Sequence, residues 1–388
     1  MKTGSYIHTV QHRSLARQTG MSLVELLVGI LIGLVATLAI GNLFSGFEAR
    51  KRMISSGSDA QSSGVLALYF LQRDAQNAGY GLPLYNSQDP SPLLCPINTS
   101  INQGGVVVNL SPIIIVDGGA GQDIVRIRYG NPPSGGASVR AVGNLASPTL
   151  DGPLLGCQEG DVVLFHQTQD NPNCSLARIQ RLNADRVINT LTEIDTTPTD
   201  RPVTNLNGAE WVRFSCLGVW NQYEYTVNPN QELTRTGGTP GTNPFPNSAA
   251  IPMVSDIVSL QAQYGVTNTP HPDPVWAASP TGSRFLNLVD QWTDATGTFG
   301  PAMDLMDRNR IRAIRIAVVA RDGGIQRNIV SQACNGNAVG ISRVCIWTND
   351  ATPANVNLSH ITDWQRYRYR TFEVTVPLRN ILWNRDAL

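Results

Sequence analysis

The sequence predicts an α+β chain: a long N-terminal α-helix, one half apolar and the other amphipathic, packed on a large antiparallel β-sheet head with long loops. Three observations carry the prediction. All 24 prolines fall at or after Pro83, so residues 1–82 lack the residue most costly inside a helix. Within that stretch, residues 21–47 form an apolar run that would span roughly 40 Å as a helix, enough to cross a bilayer. Beyond Pro83 the apolar residues come in short β-branched or alternating runs bounded by Gly, Pro, Asn and Asp.

Residues 1–20 hold Lys2, Arg13 and Arg17 and no acid. After the apolar run the pattern turns amphipathic. Met53, Gly57, Ala60, Gly64, Ala67, Leu71, Ala75 and Ala78 recur at spacings of three and four, one face of a helix. Arg50, Lys51, Asp59, Arg73 and Asp74 are expected mainly off that stripe. Gly79-Tyr80-Gly81 followed by Pro83 is a stop signal, so one helix is expected from about Ser22 to Ala78. The runs "VVVNLSPIIIV", "DIVRIRY", "GDVVLFHQT", "VSLQAQYGV", "IRAIRIAVVAR" and "YRTFEVTVPL" read as strands. In "IRAIRIAVV" the residues Ile314, Ile316 and Val318 share one face and Arg315 the other, which predicts a half-exposed antiparallel strand. "YGNPPSGGAS" and "NPNQELTRTGGTPGTNPFPNSAA" read as surface loops.

Basic and acidic residues balance at 29 each. Without residues 1–20 the remainder is slightly acidic, which argues against bulk attraction to nucleic acid or anionic lipid as the driving force of function. Six cysteines, Cys95, Cys157, Cys174, Cys216, Cys334 and Cys345, all follow the apolar run, and none forms a CxxC pair. If that run crosses a membrane, they lie in a compartment where disulfides persist. Six cysteines allow 15 pairings. Sequence separation ranks Cys334 with Cys345 first and Cys157 with Cys174 second, leaving Cys95 with Cys216.

Chemistry of the enzymatic kind is poorly represented. His166, His271 and His360 lie far apart, His8 and His12 precede the apolar run, and no HExxH, GxSxG or Walker A pattern occurs. "GGAGQD" at residues 118–123 reads as a turn, not a phosphate cradle. Asp290, Asp294, Asp304 and Asp307 lack the spacing of a Ca²⁺ loop and read as loop acids. "QRYRYRTF" would set Arg366, Arg368 and Arg370 on one face of a strand and Tyr367 and Tyr369 on the other. With no wider basic patch, that reads as a strand with one packed aromatic face, and no nucleic-acid partner is expected. No cofactor and no metal is expected. Gly29 and Gly33 form a GxxxG that permits close helix packing.

The most unusual residue is Glu25, an acid near the start of the apolar run. A carboxylate well inside a bilayer costs roughly 2.5–3.5 kcal/mol on insertion scales, so something must offset it. "TG" followed by "MSLVELLVGILIGLV" resembles the signal of type IV prepilins, in which a basic leader ends in Gly and the fifth mature residue is Glu. "ALYFLQRDAQNAGYG", "GCQEGDVVLF", "VSDIVSLQAQYGV" and "TFEVTVPLRN" narrow the resemblance to PilW-like minor pilins. The resemblance implies cleavage by a prepilin peptidase/N-methyltransferase between Gly20 and Met21, with N-methylation of Met21, although the family's usual first mature residue is Phe. The new α-amino group would have an ordinary pKa near 7.7–8.0. In a staggered bundle of parallel helices, Glu25 of one subunit meets the ammonium of the next, and the ion pair fixes register.

The expected organisation is therefore a leader over residues 1–20, a transmembrane helix over 21–47, the amphipathic half over 48–78 and a periplasmic or extracellular head over 79–388. The resemblance implies a minor pilin that helps initiate type IV pilus assembly, at the pilus tip or in an initiating complex. Its partners would be other minor pilins, the major pilin and a tip adhesin, with the inner membrane as its site before assembly and the cell surface after it. The alternative is a type II secretion pseudopilin of the GspJ kind; a membrane-tethered enzyme is more distant.

Overall fold

The computed structural model describes residues 20, 22–82, 95, 100–103, 106–144, 147–154, 156–167, 174–182, 191–196, 212–238, 249–269, 286, 288–301, 303, 305–308 and 310–382. The chain divides into two compact units, Met1–Ser55 and Ser56–Leu388. Helix α1, Leu23–Asn77, contributes to both.

In the first unit, Leu23–Phe44 is 22 residues long and apolar enough to cross a membrane, and none of it is buried. In the second unit the helix has a seat. Ala60, Ala67, Leu71, Ala75 and Ala78 are buried against strands, the face that the three-and-four spacing marks. Gly64 belongs to this face because a Cβ there would overlap the Phe372 ring. α1 ends at a left-handed Gly79 (φ 75°), whose N–H donates to the Arg128 carbonyl at 2.9 Å.

The strands follow in chain order. β1 (Ser100–Gln103) and β2 (Val106–Asn109) form a hairpin. They are followed by β3 (Ile113–Val116), β4 (Ile124–Tyr129), β5 (Ser138–Asn144), β6 (Ser147–Leu150), β7 (Val162–Gln167), β8 (Cys174–Leu182), β9 (Leu191–Thr196) and β10 (Val212–Gly218). Then come β11 (Asn221–Val227), β12 (Glu232–Gly238), β13 (Ile251–Ser255), β14 (Ile257–Val266), β15 (Gln291–Thr293) and β16 (Ile311–Arg321). β17 (Ser331–Ala333), β18 (Ser342–Ile346), β19 (Ala354–Asn355) and β20 (Tyr369–Pro377) complete the order. A five-stranded sheet, β13-β12-β11-β4-β3, and a four-stranded sheet, β15-β14-β16-β20, share the core in which α1 is seated. A six-stranded sheet, β6-β5-β10-β7-β8-β9, has a core on each face, and β17-β18-β19 forms a small C-terminal layer. All named strand pairs are antiparallel except β17 with β18.

Three expectations are corrected here. β16 is buried on both faces, not half-exposed. Ile314, Ile316 and Val318 face the α1 core, while Ala317 and Val319 face a second core with Val344, Ile346, Trp347 and Leu358 of the C-terminal layer. Arg315 survives burial because its guanidinium lies between the Trp292 and Trp347 rings, 4.9 and 4.2 Å from their centroids, and pairs with Asp350 at 2.8 Å.

The second correction concerns cysteine pairing. Cys334 is joined to Cys345, but the other bridges are Cys95–Cys174 and Cys157–Cys216, not Cys157–Cys174 and Cys95–Cys216. Strand alternation explains the exchange. Cys157 and Cys216 lie in the core on one face of the six-stranded sheet and Cys95 and Cys174 in the core on the other, so the expected pairs would have to pass through the sheet. The third correction is Asp74, which is fully buried within the α1 face and not off it.

Candidate functional site

The residues of the expected assembly signal lie at the start of α1. Gly20 is described and exposed, and Met21 lies outside the described residues. The Glu25 N–H donates to Ser22 Oγ at 3.2 Å, so Ser22 caps the helix and Glu25 holds the third position. This is the S-x-x-E spacing of a capping box, a signal legible in the sequence and missed there. It gives Glu25 a local place at the positive end of the helix dipole, and its side chain is exposed. Gly29 and Gly33 have open space around them, and the Thr37 hydroxyl donates to the Gly33 carbonyl at 2.6 Å.

The seat of α1 in the head is polar at one point. Tyr225 Oη donates to Asp74 Oδ2 at 2.5 Å, Arg235 Nη1 lies 3.8 Å from the same oxygen, and Arg73 Nη2 reaches Asp74 Oδ1 at 3.2 Å. Burial, followed by the adjacent Asp74 charge, pushes the Tyr225 hydroxyl well above its ordinary range, so it stays a donor. Arg235 in turn stacks on the Tyr223 ring at 4.6 Å. β11 and β12 thus clamp the helix through one buried carboxylate. At the last turn, Asn380 Nδ2 donates to the carbonyls of Gln76 and Ala78 at 3.1 and 3.3 Å, a cap supplied from the far end of the chain.

"GGAGQD" is a turn between β3 and β4, and it braces one sheet against the other. Asp123 is buried and accepts the N–H groups of Gly118 (2.9 Å) and Ala262 (2.7 Å), while Gln122 takes the Leu260 N–H and donates to the Val258 carbonyl. Burial pushes the Asp123 carboxyl up to about 6 despite those two donors.

The remaining candidates are dispersed. Asp290 accepts the N–H groups of Asn268 and Thr269, which hold it below the ordinary carboxylate range. Asp294 accepts from Gln263, Asp307 pairs with Arg310, and Asp304 lies outside the described residues. His166 is buried beside Ser215 at 3.3 Å, His360 is exposed elsewhere, and His8, His12 and His271 lie outside the described residues. Cys157, Asp161 and Cys216 cluster, but both sulfurs are in a disulfide. "QRYRYRTF" does not form one strand: Trp364–Arg366 is a 3₁₀ turn and the strand begins at Tyr369. Tyr367 and Tyr369 do pack on the C-terminal core.

The arrangement is that of a β-sheet head built on one long helix, with no convergent catalytic set among the described residues. Residues 224–380 match the family model of PilW, Type IV Pilus-assembly protein W. Over that region the chain is similar to type IV pilus-assembly proteins of the PilW family. A type IV-like pilin from Thermus thermophilus is 10% identical, over 84% of this chain and 96% of its own, with a TM-score of 0.32. No curated protein matches the chain.

Proposed function

We propose that the chain is a minor type IV pilin that helps initiate pilus assembly, working at the tip or in an initiating complex with other minor pilins. The observation that carries this reading is the union, in one chain, of a wholly exposed apolar helix, Leu23–Phe44, with a PilW-matching region over residues 224–380. In this reading Leu23–Phe44 anchors the precursor in the inner membrane. Cleavage between Gly20 and Met21 then frees an amine, which is methylated, and Glu25 sets register against the amine of a neighbouring subunit. Size supports a terminal position. About 310 residues after Ala78 give a radius of gyration of roughly 19 Å, whereas packed helices lie about 8–10 Å apart. Heads of that size crowd a continuous lattice and are accommodated where one side has no neighbour. Gold labels on the head, imaged on sheared pili, test the position: labels at ends are expected, and regular decoration of the shaft overturns it. Gene deletion assayed separately for surface pili and for protein secretion tests the pilus against a secretion pseudopilus.

A further inference from the structure

A strand at the margin of an antiparallel sheet turns the N–H and C=O of every second residue outward. On β20 the phase is fixed by two bonds that flank its ladder with β16. The Leu378 N–H donates to the Arg312 carbonyl at 3.0 Å, and the Asp322 N–H to the Arg368 carbonyl at 2.8 Å. Even-numbered residues of β20 therefore bond β16, and Thr371, Glu373 and Thr375 turn their backbone groups away from it. β20 ends its four-stranded sheet. Among the described residues nothing donates to those three carbonyls or accepts from those three N–H groups.

Other margins of the head are closed. On β14, Gln122 takes the Leu260 N–H and donates to the Val258 carbonyl, the Asp123 N–H donates to the Leu260 carbonyl, and the Asp123 carboxylate takes the Ala262 N–H. The Ile115 N–H of β3 donates to Tyr264 Oη at 2.6 Å. β13 carries Pro252 and an irregular register, and β15 is three residues long. Such devices keep sheets from pairing with other chains. β20 lacks them: nine residues run in unbroken register, and the one proline, Pro377, stands at the end. Thr371, Val374, Thr375 and Val376 are β-branched, which suits a strand. Its charges are Arg370 on one face, bonded to Gln61, and Glu373 on the other, accepting the Thr348 N–H. Neither has an ion-pair partner among the described residues.

We propose that the outer margin of β20 is a strand-addition site, which takes an extended segment of another pilus subunit in antiparallel pairing. The proposal rests on the chain working in a pilus assembly, and it names the contact through which the head joins a partner. Main-chain bonds supply the affinity, and alternate side chains supply the specificity. The segment has no proline where its N–H must meet β20, a cation opposite Glu373 and an acid opposite Arg370. Charge decides against a second copy of β20 as the occupant. Two-fold pairing about Glu373 sets two carboxylates directly opposite each other. Pairing about Phe372 sets them on the diagonal of one face with no cation between them.

The first test is hydrogen exchange on the detergent-solubilised full chain, with and without the blocked peptide Thr-Val-Lys-Val-Thr-Glu-Thr. Paired antiparallel, this probe sets its lysine opposite Glu373 and its glutamate opposite Arg370. Amides of Thr371, Glu373 and Thr375 are expected to exchange freely in the chain alone and about tenfold more slowly with saturating peptide. Amides of Phe372 and Val374, bonded to β16, should stay slow in both. The variant T371P/T375P removes outward N–H groups only, so it should abolish the protection at an unchanged urea midpoint. In cells, p-benzoylphenylalanine at position 371 or 375 should crosslink to one segment of another pilus subunit, the 375 crosslink lying N-terminal to the 371 crosslink. Slow outward amides in the chain alone, no protection by the peptide, protection that survives T371P/T375P, or crosslinks only between copies of β20 each overturn the proposal. Entry of T371P/T375P into sheared pili at the parent's level sinks this proposal alone. Absence of the parent itself from pili sinks the functional reading on which it rests.

Discussion

Two acids on one helix have opposite circumstances. Glu25 lies in the apolar half of α1 and is exposed, with no partner for its carboxylate among the described residues. Asp74 lies in the more polar half, is fully buried, and is met by Tyr225, Arg235 and Arg73. The halves invert the usual rule in the same way. The more hydrophobic one, Leu23–Phe44, has no buried residue, while an alanine-rich stripe with a charge in it is seated in the core. A side chain's surroundings are set by the solvent its segment was built for, and the Leu23–Phe44 half carries the composition of a segment whose solvent is lipid or other helices. Asp74 is completed within the chain, whereas the partner proposed for Glu25 belongs to another subunit.

The comparison breaks most visibly at Asp74. Asp74→Ala leaves Arg235 and the Tyr225 hydroxyl uncompensated, and loss of one member of a buried ionic set costs about 3–5 kcal/mol. Urea unfolding of the detergent-solubilised full chain should show that loss. Tyr225→Phe, which removes one hydrogen bond to a charge, should cost about 1.5–3 kcal/mol. If Asp74→Ala unfolds like the parent, the clamp does not hold the helix.

Gly64 sharpens the same seat without charge. Alanine gains about 1 kcal/mol of helix propensity over glycine, but its Cβ would enter the Phe372 ring. Overpacking of this kind costs about 1–3 kcal/mol, so Gly64→Ala is expected to destabilise. Combining it with Phe372→Leu should recover most of the loss; additivity of the two changes would mean that the ring and the helix are not in contact.

Asp123 gives a smaller effect with a defined sign. Its folded pKa, about 6, lies above the ordinary value of 3.8 because burial disfavours the charge. The folded state therefore binds the proton more tightly than the unfolded chain does. This contribution to stability is complete below the ordinary value and is lost as pH rises through about 6. Between pH ~4 and ~7 the unfolding free energy should fall by on the order of 1–3 kcal/mol from this group. Asp123→Asn should flatten that part of the profile, and an unchanged slope in the variant would assign the dependence elsewhere.

Much of this was legible beforehand because it depends on local rules. The helix expected from Ser22 to Ala78 is found as Leu23–Asn77, since an apolar period, an absence of proline and a Gly-Tyr-Gly stop are all written within a few turns. What failed depends on which face of a distant element a residue meets. The bridges Cys95–Cys174 and Cys157–Cys216 follow the two faces of a six-stranded sheet, which linear separation does not encode. Asp74 looks like a surface residue until β11 and β12 supply its partners from about 150 and 160 positions away. Asn380 could not be known as the cap of α1 from either end alone. Ser22 is legible, since its spacing from Glu25 is a helix-start signal written within four consecutive residues.

The smallest effect expected on the head belongs to Glu25, and it is the decisive contrast. Glu25 is held locally through its backbone, so removing its exposed side chain leaves the Ser22 bond in place. Glu25→Ala should therefore unfold with the parent's urea midpoint, within about 0.5 kcal/mol, as surface substitutions do. Membrane insertion should become easier, because a carboxylate no longer enters the bilayer. Assembly should move the other way. If the amine of a neighbouring subunit is the missing partner, the variant accumulates in the membrane fraction and is depleted from sheared pili. Glu25→Gln, which keeps the shape without the charge, should behave like the alanine variant. Normal incorporation of both would mean that Glu25 serves the helix start and nothing beyond it, and the likeness between Glu25 and Asp74 as two charges in need of partners would be lost.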